Sequence, residues 1–399
     1  MTNVFDYLKW RGDLTFEQAP LNEVDSLLFS LLAYVDLDGI VPAPNEGSKT
    51  VKAAAMEYFF SREENDRPLG LLVPGDILDL FRTMADSSRF GDLELTGYVS
   101  ETCTQREMQF SAMTVRLSNE EIYVAFRGTD DSIVGWREDF NLSFLDEVPS
   151  QRMATEYLNA LDLTPATALY IGGHSKGGNL AVWGAVHAKE AVRRHIQAVY
   201  SNDGPGFTEA TVHSEAYQSL KERIHIILPD DSLVGLLLDH DVPYTVIRSN
   251  SRGLFQHDGL SWSVLGGSFI RAERLSAKGV HTDTVVRERI ASLSREEREA
   301  LTGVLFNILE STGAKTLTEL RNGGFKSALA MVKTYRELSP KEQEMAAYLW
   351  EKLTGKRAVP TVEVKKEVAA KRHASGKTQK KVRFYVKSSL FEDVTLRIF

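Results

Sequence analysis

The order of apolar and polar residues along the chain predicts a domain of alternating strands and helices. Apolar residues recur at helical spacing over 21–39, opening near Asn22 or Asp25, and again over 74–91 and 150–163. Segments with the two-residue period of strands are 95–100, 109–117, 121–128, 168–173, 198–203, 224–230 and 244–250. Strands that alternate with helices predict a mainly parallel sheet with helices on both faces.

The pattern changes twice towards the C-terminus. Residues 291–355 have a helical period, and Ser294 and Glu297 form a capping box at the start of the first helix. Residues 356–381 are rich in lysine and arginine and lack an apolar period, which is typical of a flexible basic linker. Alternation in residues 382–399 favours a short terminal hairpin.

Composition narrows the class of protein. The 399 residues are 43% hydrophobic and 26% charged, as in globular proteins, and the net charge of −8 argues against a nucleic-acid binder. Cys103 is the only cysteine, which excludes an internal disulfide and a thiolate metal cluster and suits a reducing compartment. The first residues do not have the pattern of a signal peptide, and the apolar run at 26–35 is too short to span a bilayer. We therefore expect a cytoplasmic protein.

One serine lies between glycines where a strand pattern gives way to a helix pattern. The stretch is YIGGHSKGGNLAVWGAV, with Gly173 two residues before Ser175 and Gly177 two residues after it. A nucleophile elbow has this arrangement, because side chains at the flanking positions would collide with the neighbouring strand and helix. The alternative is an ordinary glycine-rich turn. The strand–turn–helix context favours a serine nucleophile.

A serine nucleophile needs a base and an acid that orients the base. In α/β-hydrolases these partners follow in the order Ser, Asp or Glu, His. His257 lies downstream of Ser175 in a polar loop and is the predicted base. Three aspartates at predicted strand ends compete for the role of the acid. We favour Asp231, whose following apolar residues should hold its turn rigid, over Asp230, and place Asp203 last because glycine and proline after it indicate a turn.

Two backbone N–H groups are candidates for an oxyanion hole. One belongs to Lys176, directly after the nucleophile, and the other to Thr129, in a loop that follows a strong strand pattern; the Thr129 hydroxyl is a further candidate donor. The alternative for that loop is a solvated hairpin exit. The chain has neither an H-E-x-x-H motif nor a Walker A motif, and no metal or organic cofactor is implied.

Three motifs together resemble the class 3 lipase branch of the α/β-hydrolases, and most of all its bacterial Mbeg-like members. They are VAFRGTDD with VGWREDF, then GGHSKGGNLA, then QHDGLSW. The resemblance implies Ser175 as nucleophile, His257 as base, an aspartate near 231 as orienter, and Thr129 with Lys176 as oxyanion donors. Two features depart from the lipases: Lys176 stands where they usually have leucine, and the acid lies in DDSLVG rather than a D-x-V-P context. In the lipases the segment matching DDSIVGWREDF is a lid, although a helix packed on the core is the alternative.

These observations predict an α/β-hydrolase-type domain over 1–290, a helical extension over 291–355, and a basic linker with a short terminal segment over 356–399. The expected activity is hydrolysis of carboxylic esters, such as an acyl lipid or other hydrophobic ester, through a Ser-Asp-His triad and an acyl-enzyme. A thioesterase, an amidase or a non-catalytic binding protein with this fold are alternatives. Residues 356–381 either contact anionic surfaces weakly or form a solvated linker; no specific nucleic acid is expected, and the oligomeric state is left open.

Overall fold

The computed structural model describes residues 2–62, 69, 73–276, 292–344, 347, 362–372 and 378–388. The chain divides into two compact units, Met1–Arg287 and Glu288–Phe399. The domain boundary expected near residue 290 lies outside the described residues. Within the described residues, no helix is both long and apolar enough to cross a membrane.

The first unit is built on an eight-stranded sheet in which the strands lie in chain order. These strands are β1 (Lys49–Thr50), β2 (Glu94–Cys103), β3 (Met108–Arg116), β4 (Glu121–Phe126), β5 (Ala168–His174), β6 (Ile196–Asn202), β7 (Ile224–Pro229) and β8 (Tyr244–Ile247). Neighbours from β1 to β4 are antiparallel, and neighbours from β4 to β8 are parallel. A separate small ladder pairs β9 (Val264–Leu265) with β10 (Ser268–Phe269). The α/β-hydrolase-type fold predicted from the sequence is therefore confirmed.

Helices cover both faces of this sheet. They are α1 (Val4–Arg11), α2 (Glu23–Leu32), α3 (Val51–Ser61), α4 (Ile77–Ala85), α5 (Ile133–Asn141), α6 (Pro149–Asn159), α7 (Lys176–His187), α8 (Glu190–Arg193), α9 (Glu209–Val212) and α10 (Glu215–Leu220). Both predicted starts of α2 take part in one cap: the Asn22 side chain accepts from the N–H of Asp25, and the Asp25 carboxylate accepts from the N–H of Asn22. The apolar pattern beyond Leu32 continues as buried turns instead of helix.

Strand alternation separates two apolar cores. On β5, Leu169 and Ile171 belong to the core under α6 and α7, whereas Tyr170 packs against the core under α1, α2 and α4. Because strands β4 to β8 are parallel, their carboxyl ends meet at one edge of the sheet. Loops at this edge are where open α/β sheets place their ligand-binding and catalytic residues.

The second unit contains helices and a hairpin. The helices are α11 (Arg295–Glu310), α12 (Leu317–Asn322) and α13 (Gly324–Glu337), and α11 starts at the predicted Ser294–Glu297 capping box. Strands β11 (Val362–Arg372) and β12 (Thr378–Ser388) pair antiparallel, so the expectation of a flexible linker over 356–381 is wrong for most of that stretch. Val362, Val364 and Val368 share one face of a two-residue repeat, which is the strand signal that the lysine-rich composition hid. The last part of the predicted helical segment 291–355 and the end of the terminal segment lie largely outside the described residues.

Candidate active site

Ser175 occupies a sharp turn between β5 and α7. Its φ of 57° and ψ of −133° place a non-glycine residue in a strained backbone region. A Cβ atom at Gly173 would lie 2.2 Å from the carbonyl of Gly177, and a Cβ at Gly177 would lie 2.2 Å from the carbonyl oxygen of Phe126. The two glycines are therefore required by close backbone approach. The half-buried serine is held at the carboxyl edge of the sheet by the geometry of a nucleophile elbow.

His257 pairs with a buried carboxylate. It ends a short 3-10 turn, Gly253–His257, and its Nδ1 lies 2.6 Å from Oδ2 of Asp203. Asp203 is fully buried, and its other oxygen accepts hydrogen bonds from the Ser232 hydroxyl and, at 3.1 Å, from the N–H of Gly235. Both carboxylate oxygens of Asp203 therefore accept hydrogen bonds, and the one that faces the imidazole identifies Nδ1 of His257 as the nitrogen that donates.

The choice of Asp231 as the partner of His257 is therefore wrong. Strands β5 and β6 are parallel neighbours in which His174 pairs with Asn202, so Asp203 follows at the same sheet edge as Ser175. Asp231 instead accepts hydrogen bonds from the hydroxyl of Ser276 and, at 3.2 Å, from the N–H of Gly253.

Asp230, the second choice for the acid, makes a backbone contact instead. Its N–H donates to the carbonyl oxygen of Ile247 on the neighbouring strand β8 at 3.0 Å. The loop predicted to supply the acid thus holds Asp203 through Ser232 and Gly235, and holds the start of the histidine turn through Asp231.

The glycine and proline after Asp203 reflect close packing against the elbow. A Cβ at Gly204 would lie 2.7 Å from the carbonyl oxygen of Ser175 and 2.9 Å from the amide nitrogen of Asn179. The carbonyls of Pro205 and Gly206 accept hydrogen bonds from the Asn179 side chain, at 3.2 and 2.9 Å. Asp203 itself has a φ of 52°. The sequence signal that we assigned to a simple turn marks the contact between the acid-bearing turn and α7.

A second histidine, which the sequence analysis did not assign to the site, supports the first. The Nε2 atom of His174 lies 2.7 Å from the carbonyl oxygen of His257, and its Nδ1 lies 3.1 Å from the hydroxyl of Tyr34. A carbonyl only accepts, so Nε2 carries the proton and Nδ1 accepts from Tyr34. Burial, with the nearby His257, lowers the pKa of His174 to about 3, although Asp203 acts in the opposite direction. Neutral His174 thus stabilises the His257 loop through its hydrogen bond to the carbonyl of His257.

Thr129 and Lys176, the predicted oxyanion residues, both contact α5 through their side chains. The Thr129 hydroxyl donates to the carboxylate of Asp139, with oxygen–oxygen distances of 2.7 and 2.6 Å. Lys176 is the first residue of α7, and N–H groups in a first helical turn have no acceptor within the helix. Its ammonium group lies 2.9 Å from Oε2 of Glu138. The Lys176 N–H thus lies at the start of α7, and the Thr129 N–H lies in a loop that the Asp139 carboxylate holds.

The segment that matches the lipase lid forms α5. Ile133 and Val134 are buried, Glu138 is fully buried, and Phe140 is exposed. Ser132 caps the helix by accepting from the N–H of Gly135. Because a buried carboxylate anchors α5, the structure favours a helix packed on the core over a mobile lid.

The parallel sheet and the histidine–aspartate pair at its carboxyl edge define an α/β-hydrolase-type protein. The chain belongs to the Mbeg1-like family, whose profile matches residues 84–307, more than half of its length. This confirms the Mbeg-like resemblance of the sequence.

Comparison with individual proteins adds little to the family assignment. Among solved structures, the chain is similar to the crystal structure of M37 lipase, with 16% identity over 53% of this chain and 68% of that chain and a TM-score of 0.31. No curated protein matches the chain. In the described part of the chain, no cluster of three histidine, cysteine or acidic side chains is arranged to hold a metal ion.

Proposed function

We propose that the protein is a serine hydrolase that cleaves carboxylic esters, with Ser175 as nucleophile, His257 as general base and Asp203 as the orienting acid. The observation that carries the proposal is the 2.6 Å contact between Nδ1 of His257 and the buried Asp203, at the same sheet edge as the strained Ser175. A base oriented by a buried acid, together with a serine hydroxyl at a helix N-terminus, is the arrangement that activates serine.

The geometry supports the following reaction. The Ser175 hydroxyl attacks the ester carbonyl carbon while Nε2 of His257 takes its proton, and the imidazolium then gives that proton to the leaving alcohol. Water then attacks the acyl-enzyme carbonyl while His257 takes its proton, and the imidazolium gives that proton to the Ser175 oxygen as the carboxylic acid is released. The N–H groups of Lys176 and Thr129 stabilise the tetrahedral oxyanion. Since the Thr129 hydroxyl already donates to Asp139, its N–H is the proposed donor.

Two exposed aromatic side chains favour a hydrophobic acyl group. Phe255 is 79% exposed and lies on the same short turn as His257, and Phe140 is 38% exposed next to Asp139 on α5. Ligand sites are lined mostly by hydrophobic and aromatic side chains. We therefore propose esters with an apolar acyl chain as substrates.

Cytoplasmic location and the anionic contact of residues 356–381 stay predictions.

The direct test uses a fluorophosphonate probe and p-nitrophenyl esters of graded chain length. Ser175→Ala should abolish labelling and lower kcat by about 10³-fold or more, with little change in thermal stability. Ser219→Ala, at an exposed serine on α10, is the matched control and should keep full activity. Unchanged turnover in Ser175→Ala would contradict the proposal.

The same purified protein separates the alternative functions. Preference for acyl thioesters or for amides over esters of equal chain length would indicate a thioesterase or an amidase with the same triad. A wild-type protein that the probe does not label, and that hydrolyses none of the three substrate classes, would favour the non-catalytic binding protein.

A further inference from the structure

A buried cation next to the proposed nucleophile has no role in the reaction as described so far. The Lys176 side chain is 1% exposed, and its Nζ donates to the carbonyl oxygen of Gln109 at 2.9 Å, to Oε1 of Gln109 at 3.0 Å and to Oε2 of Glu138 at 2.9 Å. All three ammonium donors therefore have acceptors. A fully satisfied buried lysine is a costly feature in a protein interior, because its desolvation must be offset by these contacts.

Its partner Glu138 joins three elements. The carboxylate accepts from Lys176 on α7, from the N–H of Gln109 on β3 at 3.0 Å and from the N–H of Ser150 on α6 at 2.8 Å, and it is fully buried. The Lys176–Glu138 pair thus attaches α5 to the first residue of the elbow helix.

The next residue on α5 extends this connection to the second proposed oxyanion donor. Asp139 lies 4.0 Å from Nζ of Lys176 and accepts the hydroxyl of Thr129. The Lys176 side chain therefore lies next to Glu138, which anchors α5, and next to Asp139, which binds Thr129, while the Lys176 N–H is the other proposed donor.

We propose that the Lys176 side chain is a positioning group of the oxyanion hole: it keeps Asp139 ionised so that Thr129 is held with its N–H facing the reacting carbonyl. This inference rests on the proposed hydrolase function. It gives a role to the lysine that stands in place of the leucine usual in class 3 lipases.

The charges around Asp139 make the inference testable by pH. Burial raises the pKa of Asp139 to about 6, although its side chain remains 25% exposed; Lys176 and the Thr129 hydroxyl lower it, and Glu138 and Asp130 raise it. Tyr34 also faces Asp139, and burial raises the pKa of its phenol above the usual range, so it stays neutral. Removing Lys176 should therefore raise the pKa of Asp139, and removing Glu138 should lower it.

The experiment compares Glu138→Gln with the double variant Lys176→Met/Glu138→Gln, using the profile of kcat/KM against pH. The double variant leaves no unpaired charge at this buried site, which limits the risk of unfolding. We expect the acid limb to move to lower pH in Glu138→Gln. Removing Lys176 from that background should move it back up by about one pH unit and lower kcat about tenfold with little change in KM. Shifts of opposite sign are not expected from a loss of packing.

Two further variants complete the test. When Asp139 is replaced by Asn, Lys176→Met should no longer shift the acid limb of the kcat/KM profile. Arg89→Lys perturbs another fully buried ion pair, with Asp25, and should lower thermal stability without moving the pH profile. Should the double variant fail to fold, Glu138→Gln alone must still shift the limb downward. An active wild type with unchanged limbs in all variants overturns the role of Lys176, whereas an inactive, unlabelled wild type overturns the hydrolase itself.

Discussion

Asp203 and Asp231 each follow a strand at the carboxyl edge of the sheet, yet they bind different groups of the same loop. Asp203 is fully buried and binds the imidazole of His257, whereas Asp231 is half-buried and binds the backbone N–H of Gly253, where the histidine turn begins. The difference follows from the sheet, because β6 lies directly beside the strand that carries Ser175 and β7 lies one strand further away. A carboxylate at a strand end becomes a partner of the site only where the order of strands brings it there.

The largest effect should come from Asp203→Asn. The amide can present its NH₂ to Nδ1 and stabilise the wrong imidazole tautomer, so we expect kcat to fall by about 10⁴-fold. Steady-state hydrolysis of a p-nitrophenyl ester measures this, and circular dichroism checks that the fold is kept. A mild Asp203→Asn together with a crippling Asp231→Asn would reverse the comparison.

Gly204→Ala should have the next largest effect, although it changes no polar group. The new Cβ would lie within 3 Å of the Ser201 hydroxyl, of the carbonyl oxygen of Ser175 and of the amide nitrogen of Asn179. Two of these atoms are backbone, so the turn that carries Asp203 must shift, and we expect a loss of about 10²-fold in kcat. Gly303→Ala on α11 is the matched control, because nothing lies within 4 Å of its added Cβ. Equal activity in the two variants would show that the turn tolerates displacement.

Asp231→Asn should cost tenfold or less in kcat, with a small decrease in thermal stability. The amide oxygen can still accept from the N–H of Gly253 or from the Ser276 hydroxyl, so the histidine turn is loosened but not released. Melting temperature and kcat, measured on one preparation, test this together. A loss comparable to that of Asp203→Asn would mean that the Asp231 carboxylate acts on the imidazole directly.

His174→Gln should have its clearest effect on the pH dependence of stability. The folded pKa of His174 is about 3 and its ordinary value is 6.5, so between these values the unfolded chain binds more protons and stability falls as the pH falls. This contribution amounts to at most about 1.4 kcal/mol per pH unit. The His174→Gln variant lacks this contribution. The free energy of unfolding of the wild type, measured with urea, should therefore exceed that of the variant by less at pH 4.5 than at pH 7. The opposite contribution of Asp139 is present in both proteins and cancels. An advantage that stays constant would mean that His174 is not buried neutral.

Local patterns in the sequence were sufficient for much of the architecture. Runs of apolar and β-branched residues mark β3, β4, β5 and β7, most of whose side chains are buried, and capping residues mark the starts of α2 and α11. Glycines on both sides of Ser175 mark the elbow, since close approach of two backbones excludes any side chain. Each of these signals lies within a few residues of the feature that it predicts.

Long-range contacts decided the rest. Asp203 and His257 are 54 residues apart, and only the parallel register of β5 with β6 and the return of the loop after β8 bring them together. No residue near Lys176 in the chain predicts that its side chain is buried; Glu138 and Gln109, 38 and 67 residues away, supply its acceptors. Composition likewise concealed the strands of the C-terminal hairpin. The sequence by itself determined the glycine-flanked turn at Ser175 and the kind of sheet, because these depend on local backbone geometry. Only the tertiary structure decided which carboxylates contact His257 and Lys176, because a hydrogen bond requires positions that distant segments occupy together.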